Sequence, residues 1–469
     1  MAIKRYGATK TNTITNAFQA DLSTRGTGSN MGEADVMEVF SLYGEASAGT
    51  SRELSRVLVD FPVLTTIASD RTAGKIPASG SVNFVLKLTD APHTETTPRN
   101  FTLNVAAVSQ SWTQGTGLDT VNYTDLGVSN WLNATSSATF WTNQGGDFLT
   151  GSGFYVGSQT FVGGTENLAV DVTPIVESQL LGTFGAYGFG VFLTSSLENA
   201  LTSYYTKKFF ASGSEYYFYR PVLEAQWNSS LQDDGNNFYL SSSLADASDN
   251  INKLYLYNVV RGQLKNIPSI GTGLIYLTVH TASGAPAIQA AVTGGWASTG
   301  IYSASIVYTG SATSIYPVWF SGSTQFHTGS EITVNTINSS NNFYTTDFYC
   351  KITNLKTSYT NNENPSFRLY TRPRDWNPNV FTVANVEAET TIIKNVYYKI
   401  FRLVDNYEVI GYGTGSSQET LMSYDKDGNY FSLDMSMFEP GYMYGIKVMF
   451  KLNDSEYKEQ PEIFKFRVV

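Results

Sequence analysis

The apolar residues of this chain come in short runs of about five or six aromatic and β-branched side chains, each closed by a cluster of Gly, Ser, Thr, Asn or Pro. No such run is long enough for a sizeable helix. The clearest is Gly188-Phe189-Gly190-Val191-Phe192-Leu193, where an unbroken apolar string bounded by glycine predicts a strand packed on both faces. Upstream, Asp171-Val172-Thr173-Pro174-Ile175-Val176 has the early proline of a helix start. Downstream, Phe209-Phe210 leads to a Ser-Gly-Ser turn, and Tyr216 to Tyr219 with Pro221 to Trp227 reads as the closing strand of a sheet. Pro221 has no amide hydrogen and so belongs at that strand's start or at an edge. With aromatic residues at 14% of the chain, 30 of them Tyr and 28 Phe, the expected fold class is all-β.

In chain order, residues 1 to 35 are rich in Thr, Asn, Ser and Gly, with a surface loop expected at Arg25 to Gly32. Strands are expected at Val36–Tyr43, Leu54–Val63, Ser81–Thr89 and Phe101–Trp112, followed by a long polar region from Thr113 to Phe140. The polar stretch Ser229 to Asn237 marks a linker, after which six or more short strands between Phe238 and Leu355 have the spacing of an immunoglobulin-like sandwich. A second connection with an embedded strand, Phe367 to Tyr370, precedes a last β-patterned module. The expected modules are residues 1–230, a jelly-roll β-sandwich, then 231–362 and 363–469, two immunoglobulin- or fibronectin-like sandwiches.

Thirty basic against forty acidic side chains give a formal charge of −10, which opposes nucleic-acid binding over most of the surface. The densest basic run, Arg368, Arg372 and Arg374, reads as a solvated face. Met1 to Tyr6 has no apolar h-region, so a secretory signal is not expected, and no stretch has the length of a membrane helix. Cys350 is the sole cysteine and reads as a small buried strand residue. His93, His280 and His327 lack metal-ligand spacing, and no Gly-x-Ser-x-Gly elbow is present. Asp425 to Asn429 opens like a calcium loop, but its glycine comes too early, so a hairpin turn is the reading. Neither catalytic residues nor a metal nor a cofactor are expected.

Two resemblances add to this. Leu54 to Val63, Val105 to Trp112, Asp171-Val172-Thr173, Phe210-Ala211-Ser212 and Pro221-Val222-Leu223 together resemble a DNRLRE-type jelly roll, a sandwich akin to carbohydrate-binding modules, over residues 1 to 230. In such sandwiches exposed aromatic rings stack on sugars, and the resemblance makes Tyr123, Trp131 and Trp141 the candidate glycan platform. The alternative is a loop pinned to the sandwich by buried indoles. The region from Phe367 onward, with Phe367-Arg368-Leu369-Tyr370, Ser423-Tyr424-Asp425 and Phe464 to Val468, resembles virion structural proteins of tailed phages, especially large marine myophages.

These resemblances imply a non-enzymatic virion component assembled in the host cytoplasm, an adaptor or accessory protein of neck, tail or baseplate. Its partners would be other virion proteins and further copies of itself in a symmetric assembly, with neither nucleic acid nor membrane among them. Capsid decoration and a glycan-binding adhesin that grips host surface polysaccharide are the alternatives; a polysaccharide-degrading enzyme is a more distant one.

Overall fold

The computed structural model describes residues 2–46, 49–118, 128–242, 244–336, 347–375, 380, 390–452 and 456–469. The chain divides into two compact units, residues 2–228 with 415–419, and residues 229–414 with 420–469. Both are built almost wholly of β-structure.

The first unit contains β1 (Ile3–Gly7), β2 (Lys10–Thr15), β3 (Val36–Ala46), β4 (Gly49–Asp60), β5 (Asn83–Leu88), β6 (Phe101–Ala107), β7 (Asn133–Ser136), β8 (Thr139–Phe140), β9 (Val156–Phe161), β10 (Leu168–Asp171), β11 (Phe189–Leu193), β12 (Tyr204–Phe210) and β13 (Val222–Gln226). One sheet runs β1-β13-β5-β10 and the other β12-β3-β4-β11-β6-β9, with β2 also on β4. Strand β4 is shared. Its first half pairs with β3, Ser41 opposite Leu54, and its second half lies between β2 and β11, Thr13 and Val191 both opposite Val57.

The alternation of side chains along β4 and β11 sorts them onto two faces. Val57, Val59, Phe189, Val191 and Leu193 enter the core between the sheets, where they meet Phe84, Leu86, Leu103, Val105 and Leu223. Leu58 faces the other way, into a second cluster with Ile14, Val108, Trp112, Trp131 and Trp141. All five residues of β11 are buried, as the unbroken run predicted. Gly190 gives the outer face its clearance: a Cβ there would stand 2.0 Å from Phe148, whose ring stacks on Phe192 at 4.7 Å.

Three local expectations are corrected. The strand expected to reach Val63 ends at Asp60, because Pro62 lacks a ladder donor and Val63–Ile67 turns into the short helix α1 (Ala68–Thr72). Tyr217–Tyr219 is a single 3₁₀ turn rather than strand, held where Tyr216 and Tyr219 pack on Phe210. The loop at Arg25 to Gly32 is not wholly superficial, since Ser29, Asn30 and Met31 are buried. The expected helix start is helix α2 (Thr173–Leu180), with Pro174 in its first turn.

The second unit continues with β14 (Asn252–Tyr257), β15 (Val259–Val260), β16 (Gln263–Leu264), β17 (Leu274–His280), β18 (Val292–Ser298), β19 (Ile301–Ile306), β20 (Ser314–Ser321), β21 (Thr324–Thr328) and β22 (Ile332–Thr333). These form a sheet of order β14-β19-β18-β17-β20-β21, with β22 on β20, and a separate ribbon β15-β16. One face of that sheet carries Leu254, Ile275, Leu277, Tyr302, Ala304 and Trp319 into a common core.

There follow β23 (Phe348–Ile352), β24 (Ser358–Tyr359), β25 (Ser366–Pro373), β26 (Val396–Arg402), β27 (Glu408–Ile410), β28 (Ser423–Asp425), β29 (Gly428–Ser432), β30 (Met443–Lys451), β31 (Tyr457–Glu459) and β32 (Phe464–Val468). Their sheets are β23-β25-β29-β28 and β24-β32-β30-β26-β27, with β31 on β30. Strand β23 was expected among the middle strands but pairs with β25, Cys350 opposite Thr371, and β24 pairs with β32. Hydrophobic pattern locates a strand without naming its neighbour. Phe367 to Tyr370, expected within a connection, is the inner strand β25, and Asp425 to Asn429 is the β28-β29 hairpin turn, with Gly428 at φ +110°.

Candidate functional site

Two of the three predicted glycan-platform residues fall on the outer face of the β4-β11 sheet, where Val108, Trp112, Trp131, Trp141 and Phe148 pack with Leu58. Trp131 and Trp141 are 5% and 4% exposed, and Tyr123 lies outside the described residues. Trp141 is anchored by its indole, which donates to the Asn130 carbonyl at 2.8 Å, and Trp112 donates likewise to the Tyr187 carbonyl at 2.8 Å. The Arg56 guanidinium lies 5.3 Å from the centre of the Trp131 ring, and the Lys10 ammonium 4.6 Å from that of Trp112. A cation thus lies over a ring face of Trp131, a platform candidate, and of Trp112 beside it. These indoles pin the loop to the sandwich and present no open platform, because an irregular polar stretch still needs apolar anchors to lie on a sheet.

The polar groups around them are engaged in the same task. Arg56 grips Glu198 through two bonds of 2.9 and 2.7 Å and donates to the Gly145 carbonyl at 3.0 Å. Asp147 accepts from the amides of Thr142 and Asn143 at 2.7 and 2.8 Å. Asn12 donates to Ser129 and accepts from the Met31 amide, and Asn30 accepts from the Gly117 amide at 2.8 Å. Burial pushes the Asp60 carboxyl up, against the pull of Lys10 at 3.1 Å.

A second concentration of ionisable groups lies in the other unit, where Leu231 to Asp234, read as linker, run alongside β28. The Leu231 carbonyl accepts from the Tyr424 amide at 2.9 Å, and the Asp233 amide donates to the Tyr424 carbonyl at 3.0 Å. Buried Asp234 accepts from the Tyr424 hydroxyl at 2.8 Å and from the Lys253 amide at 2.7 Å. Half-buried Asp233 accepts from the Gly235 amide at 3.0 Å and from Tyr257. Burial, with the like charges of Asp234 and Asp425, pushes its carboxyl up to about 7. The polar sequence here gave no sign of this.

Several other groups that could act as nucleophiles or ligands are engaged in the fold. Cys350 is buried in β23, and burial pushes its thiol up to about 12. His280 uses one ring nitrogen on Thr278 and the other on the Ala285 carbonyl. Arg368, from the basic run, makes two bonds of 2.7 and 2.9 Å to Asp425 and lies over Tyr430. Among the described residues no three His, Cys, Asp or Glu side chains gather as ligands to a metal ion, and no helix is long and apolar enough to cross a membrane.

The most unusual group is one the sequence reading missed. Lys207, on β12, is 1% exposed and alternates with Phe209 onto the inner face, a period-two signal in Tyr204–Phe210 that would have found it. Aromatic residues that are exposed in this unit include Phe140, Phe154, Tyr155, Tyr205, Tyr216 and Tyr217. Nothing in sequence distinguishes them from the buried ones.

No protein family profile matches the chain, and no curated protein matches it. Among solved structures, a marsupial T cell receptor aligns at 9% identity and TM-score 0.16 over 51% of this chain and 70% of the receptor chain. A Ca²⁺-stabilised adhesin with which an Antarctic bacterium binds ice aligns at 9% identity and TM-score 0.15, over 97% of this chain and 99% of its own. The FN1–FN3 domains of chicken CNTN1 align at 10% identity and TM-score 0.14, over 66% and 82% respectively. Likenesses this remote transfer nothing to the chain.

Proposed function

We propose that the chain is a non-catalytic structural protein of a tailed-phage virion, an adaptor or accessory component of the neck, tail or baseplate, present in several symmetric copies. The observation that supports it best is how the side chains are used. The ionisable groups described above serve to hold loops and strands in place, whereas a number of large apolar side chains are left exposed. Ribbon β15-β16 is the plainest case: Val259, Val260 and Leu264 are all exposed, and its strands pair only with each other. Rigid sandwiches with apolar ornaments suit a role carried by contact with neighbours. The phage-like strings from Phe367 onward point the same way.

Quantitative mass spectrometry of purified particles tests this against the portal and major capsid proteins. About six or twelve copies per particle are expected of a neck, tail or baseplate component. Hundreds of copies would make it a capsid decoration, and its absence from particles would overturn the reading.

A further inference from the structure

Lys207 sits between aromatic walls, its ammonium 5.2 Å from the centre of the Phe161 ring and 5.0 Å from that of Phe209. Its three N–H bonds have three acceptors: the Gly164 carbonyl at 2.8 Å, the Glu166 carbonyl at 2.9 Å and, in close contact, the Asp90 carboxylate. The loop supplying the carbonyls is fixed. The Glu166 side chain accepts from the amides of Val162, Gly163 and Gly164 at 3.0, 2.6 and 2.6 Å. Gly164 has φ +92°, and a Cβ on it would stand 2.0 Å from the Pro98 carbonyl oxygen. Asp90 is held too, its amide donating to Asn167 at 2.8 Å, while the flanking Phe210 and Ala91 amides donate to Thr89 and Lys208. Burial pushes the Lys207 amine down, against the pull of Asp90 and Glu166, and so favours the uncharged form that attacks.

We propose that Lys207 and Asp90 condense into an intramolecular isopeptide bond that ties the two sheets of the first unit together. Asp90 lies just past β5, in one sheet, and Lys207 belongs to β12, in the other. The proton facing Asp90 passes from Nζ to the carboxylate. Two N–H bonds remain on the Gly164 and Glu166 carbonyls, which leaves the nitrogen lone pair on the side of Asp90. It attacks Cγ, a C–N bond forms, and the C–O bond breaks as the hydroxyl leaves with a proton from nitrogen as water. Ammonium plus carboxylate becomes amide plus water, so the step needs no oxidant and no co-reactant. Holding the two groups together gives the attack a high effective concentration, and a neutral amide suits the apolar walls better than an ion pair does. Gly164 and Glu166 act as positioning residues.

Intact-mass measurement on the denatured full-length chain decides the matter without any variant. The expected mass is lighter than the sequence mass by one water, with a branched peptide joining the Lys207 and Asp90 segments in a digest. A wild-type chain at its full sequence mass overturns the proposal, as does a water loss that maps elsewhere. Lys207→Arg and Asp90→Ala should each return to full sequence mass, and persistence of the water loss in Lys207→Arg would also overturn it.

Discussion

Glu224 shows how a buried charge is tolerated in this molecule. It is 2% exposed on β13, where burial would raise its carboxyl, but Arg5 at 2.7 Å and Lys87 at 2.5 Å outweigh that and hold it at about 2. Glu224→Gln leaves two cations facing a neutral amide, and a loss of about 3–5 kcal/mol is expected in denaturant unfolding. With its folded pKa depressed, the contribution is present above the ordinary 4.5 and fades as pH falls toward about 2. Asp233 behaves oppositely. Its folded pKa is raised to about 7 from an ordinary 3.8, so its contribution is full below about pH 4 and is lost as pH rises through 7. Asp233→Asn should flatten the stability of the second unit across that window; an unchanged pH profile of its unfolding midpoint would count against this. Neither carboxylate was legible in sequence, because a single Glu or Asp in a strand or polar linker carries no mark of its partners. For Trp131 and Trp141 the sequence offered two roles, a glycan platform and a loop pinned by buried indoles, and residue type alone does not choose between them. Replacing either by Ala should cost about 3–5 kcal/mol in unfolding, as a lost core anchor.

Elements were read from sequence with unequal success, and the differences have physical causes. Strand β11 was recognisable because both its faces are covered, so every residue is apolar, and helix α2 because proline marked its first turn. Strand β11 also makes a sharp demand at Gly190, where Phe148 occupies the space of a side chain. Gly190→Val should expel that ring and lower the melting temperature, whereas Phe148→Ala in the same background should restore part of the loss. The turn Tyr217–Tyr219 was misread because aromatic residues favour strands, and here three rings preferred one another to a ladder. Ribbon β15-β16 turns through Arg261 and Gly262, at φ 53° and 78°, the geometry of a type I′ hairpin. Its two-residue loop is typical of the hairpins that sequence patterns reveal, but its strands are too short to register as a periodic run. Partner choice was the element-scale property hardest to read: β23 has a clear strand pattern that is equally compatible with either neighbouring sheet.

For the molecule as a whole, the all-β class followed from composition and the rhythm of short runs, while sheet order did not, because it is set by pairings far apart in sequence. Strand β4 pairs with β2, β3 and β11, and β6 with both β9 and β11. Such non-local topology predicts slow folding. Refolding followed by fluorescence should take milliseconds to seconds or longer, with the burial of Trp112, Trp131 and Trp141 as the signal. A microsecond phase carrying the full amplitude would contradict the topology. Strand β1 carries this furthest, since its ladder partner is β13, Ile3 opposite Gln226. At ribosomal rates of about 5–20 residues per second, the N-terminal segment emerges roughly ten to forty seconds before the strand that completes it. Throughout that interval Tyr6, buried in the finished core, lacks the strand that pairs beside it, so the nascent segment stays open to chaperones and to neighbouring nascent chains until β13 has been synthesised.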